Sequence, residues 1–192
     1  MTLPWLVEKR PRQSATRLSA LSHWLGLVAL FATTTMSVPV HADELPEYRL
    51  KAAFLYNFIM FTEWPASTGN TLSVCVSGND PFGAELDALQ GKVAGARTLA
   101  VQRKAGGDSL KGCQVVFIAP SAIESLPRLL AGLRGQPTLT IADSPGALHQ
   151  GVVLNLAVQN SRVSFQASVP AARSAGLILS SKLLRLATEV EQ

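Results

Sequence analysis

The stretch KAAFLYNFIMFTEWP, Lys51–Pro65, decides what kind of protein this chain is, because it is nearly as apolar as a membrane anchor. Its apolar residues recur at three- and four-residue spacing: Leu50, Ala53, Phe54, Phe58, Phe61. That spacing is typical of an amphipathic helix. The uninterrupted apolar runs are shorter than the roughly 20 residues that a membrane-spanning helix needs, and Pro65 ends the pattern. We therefore predict a helix whose apolar face packs in the core of a folded domain.

The N-terminal segment, residues 1–42, has the pattern of an export leader. Its first 17 residues hold four basic residues and one acid, and WLGLVALFA (Trp24–Ala32) follows without a charge. The segment ends in the letters VHA, which fit the small-x-small rule for signal peptidase. We expect cleavage between Ala42 and Asp43, which leaves 43–192 as a single domain outside the cytoplasm. An uncleaved anchor is the alternative.

The charge balance depends on this leader. The full chain has 17 Lys and Arg against 13 Asp and Glu, a formal net charge of +4. Four of the basic residues and one acid lie in the leader, so the exported chain keeps 13 against 12. No cluster of Lys and Arg interleaved with aromatic residues occurs in it. The composition therefore does not favour nucleic-acid binding.

Beyond Pro65 the chain alternates between two hydrophobic periods. Short runs rich in β-branched residues predict buried strands at 72–78, 98–104, 115–120 and 138–143. Residues 81–92 and 121–135 predict helices between these strands. Strands that alternate with helices indicate an α/β sandwich, in which helices cover a mainly parallel sheet.

The C-terminal third departs from this alternation. Residues 151–168 contain two alternating runs separated by Gln159-Asn160-Ser161, which predicts an antiparallel hairpin at the end of the sheet. A final helix is predicted from Pro170 onward. Its leucine spacing places Leu179, Leu183 and Leu186 in the core, and basic residues should line its other faces. Those basic residues are Arg173, Lys182 and Arg185.

The chain has two cysteines, Cys75 within a predicted strand and Cys113 just before another. An even count in an oxidising compartment favours a disulfide. Closing a loop of about 38 residues stabilises a fold by roughly 4 kcal/mol in the chain-entropy model. We favour a structural staple over a redox switch, because the C-x-x-C spacing of catalytic thiols is absent.

Catalytic and metal-binding groups are few. His149 is the one histidine after the leader, so we predict no metal site, no histidine-based triad, no cofactor and no enzymatic activity. The loop SGNDPFG joins a predicted strand to a predicted helix, where free backbone N–H groups could hold an anion or small ligand. The same letters also form an ordinary turn and cap. The candidate ligand residues are Ser77, Gly78, Asn79, Asp80, Phe82 and Gly83.

Four stretches occur in a characteristic order: EYRLKAAFLYNFIMFTEWP, VCVSGNDPFG, GCQVVFIAPS and RVSFQASVPAARSAGLILSSKLLRLA. Together they resemble the YfiR family of periplasmic proteins, over essentially the whole chain after the leader. Some members of that family carry a second cysteine pair in the C-terminal half. This chain lacks that pair, so any redox control would depend on Cys75 and Cys113.

The resemblance implies a regulator. It implies a periplasmic repressor that binds the periplasmic sensor part of an inner-membrane diguanylate cyclase, lowering cyclic-di-GMP and biofilm formation, with an outer-membrane lipoprotein as a further partner. Such a protein can act across the membrane only by biasing a conformational equilibrium. Arg173, Lys182 and Arg185 are then candidate contacts to an acidic sensor surface. The alternative is a periplasmic small-ligand-binding module serving another membrane transporter or receptor. A homodimer is left open.

Overall fold

Helix α1 (Glu44–Met60) opens the part of the chain that the computed structural model describes, residues 44–105, 107–159 and 162–192. The predicted leader and its cleavage site lie outside those residues. The predicted helix over KAAFLYNFIM is confirmed. It ends at Met60, and a two-residue strand, β1 (Thr62–Glu63), takes the chain to Pro65. Within the described ranges, no helix is both long enough and apolar enough to cross a bilayer.

The buried face of α1 differs from the predicted one. Its buried residues are Lys51, Ala52, Leu55, Phe58 and Ile59. Of the predicted apolar set, Leu50, Ala53 and Phe61 are instead exposed. Relative to that prediction, the helix is turned so that Lys51 faces an acidic partner inside the protein, and Ala52, Leu55 and Ile59 pack in the core.

The described residues contain ten strands. After β1 they are β2 (Thr71–Ser77), β3 (Val93–Ala94), β4 (Arg97–Lys104), β5 (Val115–Ile118), β6 (Leu139–Ala142), β7 (Leu154–Gln159), β8 (Arg162–Ser168), β9 (Ile178–Leu179) and β10 (Glu189–Glu191). Eight of them form one mixed sheet in the order β10-β8-β7-β6-β5-β2-β4-β3, and β1 pairs with β9 in a second, small sheet.

Pairing in the large sheet follows the predicted pattern. Strands β4, β2, β5, β6 and β7 are parallel neighbours. Strand β8 is antiparallel to β7, and β10 then adds parallel to β8. The prediction of a mainly parallel α/β sheet that ends in an antiparallel strand pair is therefore confirmed. The turn residues 160 and 161 lie outside the described ranges.

Helices cover both faces of this sheet. Helices α1 and α2 (Ala84–Asp87) pack on one face, and α3 (Leu126–Leu133), preceded by a 3-10 segment (Pro120–Ser125), packs on the other. Strand side chains alternate between the two cores. In β5, for example, Val115 and Phe117 join the α1 core, whereas Val116 and Ile118 join the α3 core. The helix predicted at 81–92 is shorter than expected, since only the four residues of α2 are α-helical.

The predicted single final helix is wrong. It is two short helices, α4 (Val169–Ser174) and α5 (Ser181–Leu184), separated by β9. Gly176 has a φ of 68°, a left-handed conformation that ends α4. Strand β9 then pairs antiparallel with β1, Leu179 opposite Thr62. This tertiary pairing outweighs the helical preference of the segment.

Candidate functional site

The disulfide between Cys75 and Cys113 is present, as the sequence predicts. Cys75 lies in the middle of β2, and both sulfur-bearing side chains are buried beneath α3, with Leu110 and Leu126 in the same core. Exposed disulfides are the readily reduced ones. The position of this one therefore favours a structural staple.

The first half of the loop Ser77–Gly83 is held to the chain segment after β5. Ser77 is buried, and the N–H of Asn79 donates to the Ser121 hydroxyl at 2.9 Å. Gly78 has a φ of 99°, and a Cβ at this position would lie 2.7 Å from the same hydroxyl. Only glycine fits this close approach without displacing Ser121.

The second half of the loop is held by side chains as well. Asp80 accepts from the N–H of Phe82 at 2.7 Å and from Arg103 Nε at 2.7 Å. Arg103 also donates to Asp87 and to the carbonyl oxygen of Gly83. Phe82 is buried, and its ring meets the ring of Phe117 edge-on at 4.7 Å. Ligand binding at this loop stays a prediction, and two of its amide donors, on Asn79 and Phe82, are already used by side chains.

A buried ion pair lies between α1 and the carboxyl end of β6. Lys51 Nζ is 2.9 Å from Asp143 Oδ2, and the two side chains are 5% and 2% exposed. Lys51 also pairs with Glu47 one turn earlier in α1. The Tyr48 hydroxyl donates to the same Asp143 oxygen at 3.2 Å, and Lys51 Nζ lies 4.4 Å from the Tyr48 ring centroid.

The pKa values of this cluster reflect its burial. Burial, followed by the negative charge of Asp143, raises the pKa of Tyr48 to about 12. Burial lowers the pKa of Lys51, but hydrogen bonds to Glu47 and Asp143 outweigh it, so the net shift is upward. Both groups therefore keep their protons in neutral solution, and Lys51 is a buried cation. Sequence reasoning missed this cluster, although a lysine inside an apolar helical run is the signal that could have revealed it.

The basic residues Arg173, Lys182 and Arg185 are all exposed. Lys182 lies in α5 and Arg185 follows it three positions later, so the two side chains share one side of that turn. None of these three basic side chains forms an ion pair with a residue that the structure describes. The segment from α4 to α5 therefore presents uncompensated positive charge to solvent.

Two large apolar side chains accompany these charges. Leu186 is 71% exposed and Ile178 is 60% exposed. The prediction that Leu186 lies in the core is wrong, because α5 ends at Leu184 and the next turn no longer faces the sheet. Leu179 and Leu183 are buried, as predicted. We call the exposed set the C-terminal surface: Arg173, Ile178, Lys182, Arg185, Leu186.

The small sheet extends the apolar character of this surface. Thr62 and Leu179 are paired and buried, so their sequence neighbours point to the outer face of the sheet. Ile178 and its cross-strand partner Glu63 lie on that outer face and are exposed, and Phe61, just before β1, is exposed as well. The N–H of Ser180 donates to the carbonyl oxygen of Phe61 at 3.0 Å, which fixes the two chain segments side by side.

Metal-binding groups do not cluster in residues 44–105, 107–159 and 162–192, where no set of three His, Cys, Asp or Glu side chains could hold an ion. His149 instead pairs with Glu191, Nδ1 to Oε1 at 2.8 Å. The described features are thus those of an α/β domain with an exposed basic and apolar surface.

The chain belongs to the YfiR/HmsC-like family, whose model matches residues 48–188. This confirms the resemblance noted in the sequence. The family is regulatory rather than catalytic, and its members are periplasmic proteins that act in diguanylate cyclase signalling. No curated protein matches the sequence significantly.

Two solved structures share the fold at low identity. A conserved domain protein from Vibrio cholerae O1 biovar eltor is 8% identical, with a TM-score of 0.50 over 75% of this chain and 60% of that one. The ABC domain from Streptococcus pneumonia in complex with L-Trp is 9% identical, with a TM-score of 0.52 over 72% of this chain and 60% of that one. The chain thus spans 60% of the length of either structure. At such identities the likeness concerns the fold alone.

Proposed function

We propose that this protein is a periplasmic repressor of an inner-membrane diguanylate cyclase. It binds the periplasmic sensor part of the cyclase, holds cyclic-di-GMP synthesis low, and so limits biofilm formation. Membership of the YfiR/HmsC-like family over residues 48–188 is the observation that carries this proposal. The protein acts by stabilising one state of the sensor, since a partner outside the membrane changes a cytoplasmic activity only through differential binding to two conformations.

The C-terminal surface is the proposed contact with the sensor. Interfaces gain most of their affinity from a few apolar or arginine anchors, and charge complementarity adds specificity and association rate. Ile178 and Leu186 supply exposed apolar area, and Lys182 and Arg185 supply positive charge beside it. We infer that the sensor presents an acidic surface with an apolar centre.

Export precedes this activity. We propose that the leader of residues 1–42 is removed and that the exported protein begins at Asp43. N-terminal sequencing of protein from a periplasmic extract tests this step. A protein that retains Met1 and sediments with membranes contradicts it.

Release of the cyclase requires a second event. An outer-membrane lipoprotein that binds the repressor would remove it from the sensor by mass action. A homodimer is a further state that we leave open, because one exposed surface of this kind can also serve a second copy. Analytical ultracentrifugation with and without the lipoprotein distinguishes these states.

Capture of partners from solubilised membranes tests the central proposal. The exported protein, carrying an affinity tag, should retain a diguanylate cyclase, and the Lys182→Glu/Arg185→Glu variant should retain less of it. Capture of a transporter or an outer-membrane receptor instead would favour a small-ligand-binding module. That second candidate is supported by a cleft that the large sheet forms with α3 and α4.

A further inference from the structure

A cleft of about 580 Å³ opens between the C-terminal end of α3, α4, β10 and a 3-10 segment (Leu148–Gln150). It lies near the amino ends of β6 and β7, at the other end of the sheet from the loop Ser77–Gly83. Its volume falls within the range of small-molecule sites, which is about 300–1,000 Å³. No role in the proposed regulation has been assigned to it.

Apolar side chains form part of the lining of the cleft, beside a larger polar part. Leu133, Leu148 and Val153 line it and are buried, and Leu130 and Ala171 line it at partial exposure. Apolar side chains of this kind favour a ligand with an aliphatic or aromatic part, because binding removes apolar surface of both the ligand and the protein from water.

The acidic side chain among the described lining residues is already paired. The carboxylate of Glu191 pairs with His149 at 2.8 Å. Hydrogen bonds from His149, first, and from the Ser168 hydroxyl lower the pKa of Glu191, so it is ionised and satisfied at neutral pH. A ligand cation would therefore compete with His149 for this carboxylate.

Donors, by contrast, remain available. Arg134 lines the cleft, is exposed, and its guanidinium makes no hydrogen bond or ion pair with any residue in the described ranges. The Thr140 hydroxyl accepts from the N–H of Val153 at 3.0 Å, which leaves its own O–H free to donate. The lining thus offers an unpaired positive charge and a buried hydroxyl donor beside its apolar side chains.

We propose that this cleft binds a small organic anion, a monocarboxylate with an apolar body. Its carboxylate accepts from Arg134 and Thr140, and its body lies against Leu133, Leu148 and Val153. The proposal rests on the cleft alone, so it holds or fails independently of the cyclase partner.

Titration of the exported protein with octanoate, followed by isothermal calorimetry, tests the proposal. Saturable one-site binding is expected. The Arg134→Gln variant should bind about tenfold more weakly, because it loses a charged hydrogen-bond donor. Arg128→Gln removes an equal charge from the exposed side of the same helix, outside the cleft, and should bind octanoate like the wild type. Octanol, which has the same body without the charge, should bind at least tenfold more weakly than octanoate.

A second variant tests whether octanoate binds in the cleft rather than elsewhere on the protein surface. Ser174 is exposed at the rim, so Ser174→Trp should obstruct the cleft without entering the core and should abolish binding. The proposal is overturned if octanoate shows no saturable binding, or if Arg134→Gln and Ser174→Trp bind it like the wild type. Equal binding of octanol and octanoate overturns the assignment of an anion.

Discussion

Lys51 Nζ lies 2.9 Å from Asp143 Oδ2, which joins the first helix to the carboxyl end of β6 across 92 positions of the chain. Both side chains are almost completely buried. Such a pair stabilises a fold little relative to an apolar pair of the same shape, but removing one partner leaves an uncompensated buried charge. The pair therefore ties α1 to the carboxyl end of β6, and the apolar residues of α1 add the packing.

Replacement of Lys51 by Met tests this role. Lys51→Met should lower the free energy of unfolding by about 3–5 kcal/mol, because Asp143 keeps a buried charge without its main partner. Urea unfolding followed by circular dichroism measures the loss. Lys111→Met, at an exposed lysine, is the matched control and should change stability by less than about 0.5 kcal/mol. The double variant Lys51→Met/Asp143→Leu should recover most of the loss, and a double variant as unstable as the single one would contradict the argument.

Alkaline unfolding should report on Tyr48. Its pKa is raised from 10.0 to about 12 in the folded protein, so the unfolded chain releases this proton at lower pH than the folded one. The stabilisation linked to the neutral phenol is complete below pH 10.0 and is lost as the pH rises towards about 12. Unfolding free energies measured over this window should therefore fall less steeply for Tyr48→Phe than for the wild type. Parallel curves for the two proteins would show that Tyr48 does not contribute.

The buried disulfide should resist reduction in the native state. Cys75 and Cys113 close a loop with a sequence separation of 38, so the Cys75→Ala/Cys113→Ala variant should lose up to about 4 kcal/mol of stability. Thiol release in dithiothreitol should be slow without denaturant and fast in urea, because the bond is covered by α3. Rapid release from the folded protein would favour a redox switch instead.

Charge reversal on the C-terminal surface should separate signalling from stability. Lys182→Glu/Arg185→Glu should leave the melting temperature nearly unchanged, since both side chains are exposed. Cellular cyclic-di-GMP should rise, because the altered surface repels an acidic sensor. Lys111→Glu/Arg128→Glu, which makes the same charge change at exposed positions elsewhere, should leave cyclic-di-GMP unchanged. A normally folded variant with unaltered signalling would exclude this surface as the contact.

The apolar part of the same surface has its own test. Ile178→Ser and Leu186→Ser should each cost less than about 1 kcal/mol of stability, because most of either side chain already faces water. Each should reduce cyclase capture from membranes severalfold, as expected for anchors of an interface. Leu183→Ser, at a buried neighbour, should instead unfold the protein, and equal stability of the three variants would refute the assignment of exposed and buried positions.

The core of the large sheet could be predicted because its signal is local. In β2, Val74 and Val76 alternate with Cys75, and in β5 a run of four apolar residues is buried on both faces. Short β-branched runs between turn residues carry this information by themselves. The antiparallel pair of β7 and β8 also followed from two alternating runs that are close together in the sequence. The disulfide followed from the even number of cysteines.

The errors arose where distant partners decide the structure. The buried face of α1 includes Lys51, and its partner Asp143 is not part of the helix pattern. The final segment has helical spacing, yet Leu179 pairs with Thr62 across nearly the whole described chain. Leu186 was predicted to lie in the core for the same reason, because the leucine spacing was extended along one continuous helix. The C-terminal surface was therefore only half predicted. Its charges and some exposed leucine surface beside them were expected, but Ile178 was not identified and Leu186 was assigned to the core.

The pairing of β1 with β9 has a consequence for the order in which the chain acquires its structure. The second strand of that small sheet comes from the last fifteen residues, and β10, at the edge of the large sheet, comes from the last four. The pairing of β1 with β9 joins segments that are far apart in sequence, and contacts of this kind form slowly. The central strands β2, β4, β5 and β6 pair with one another without either of these contacts. We therefore expect the central sheet to form first and the pairing of β1 with β9 to form late in folding.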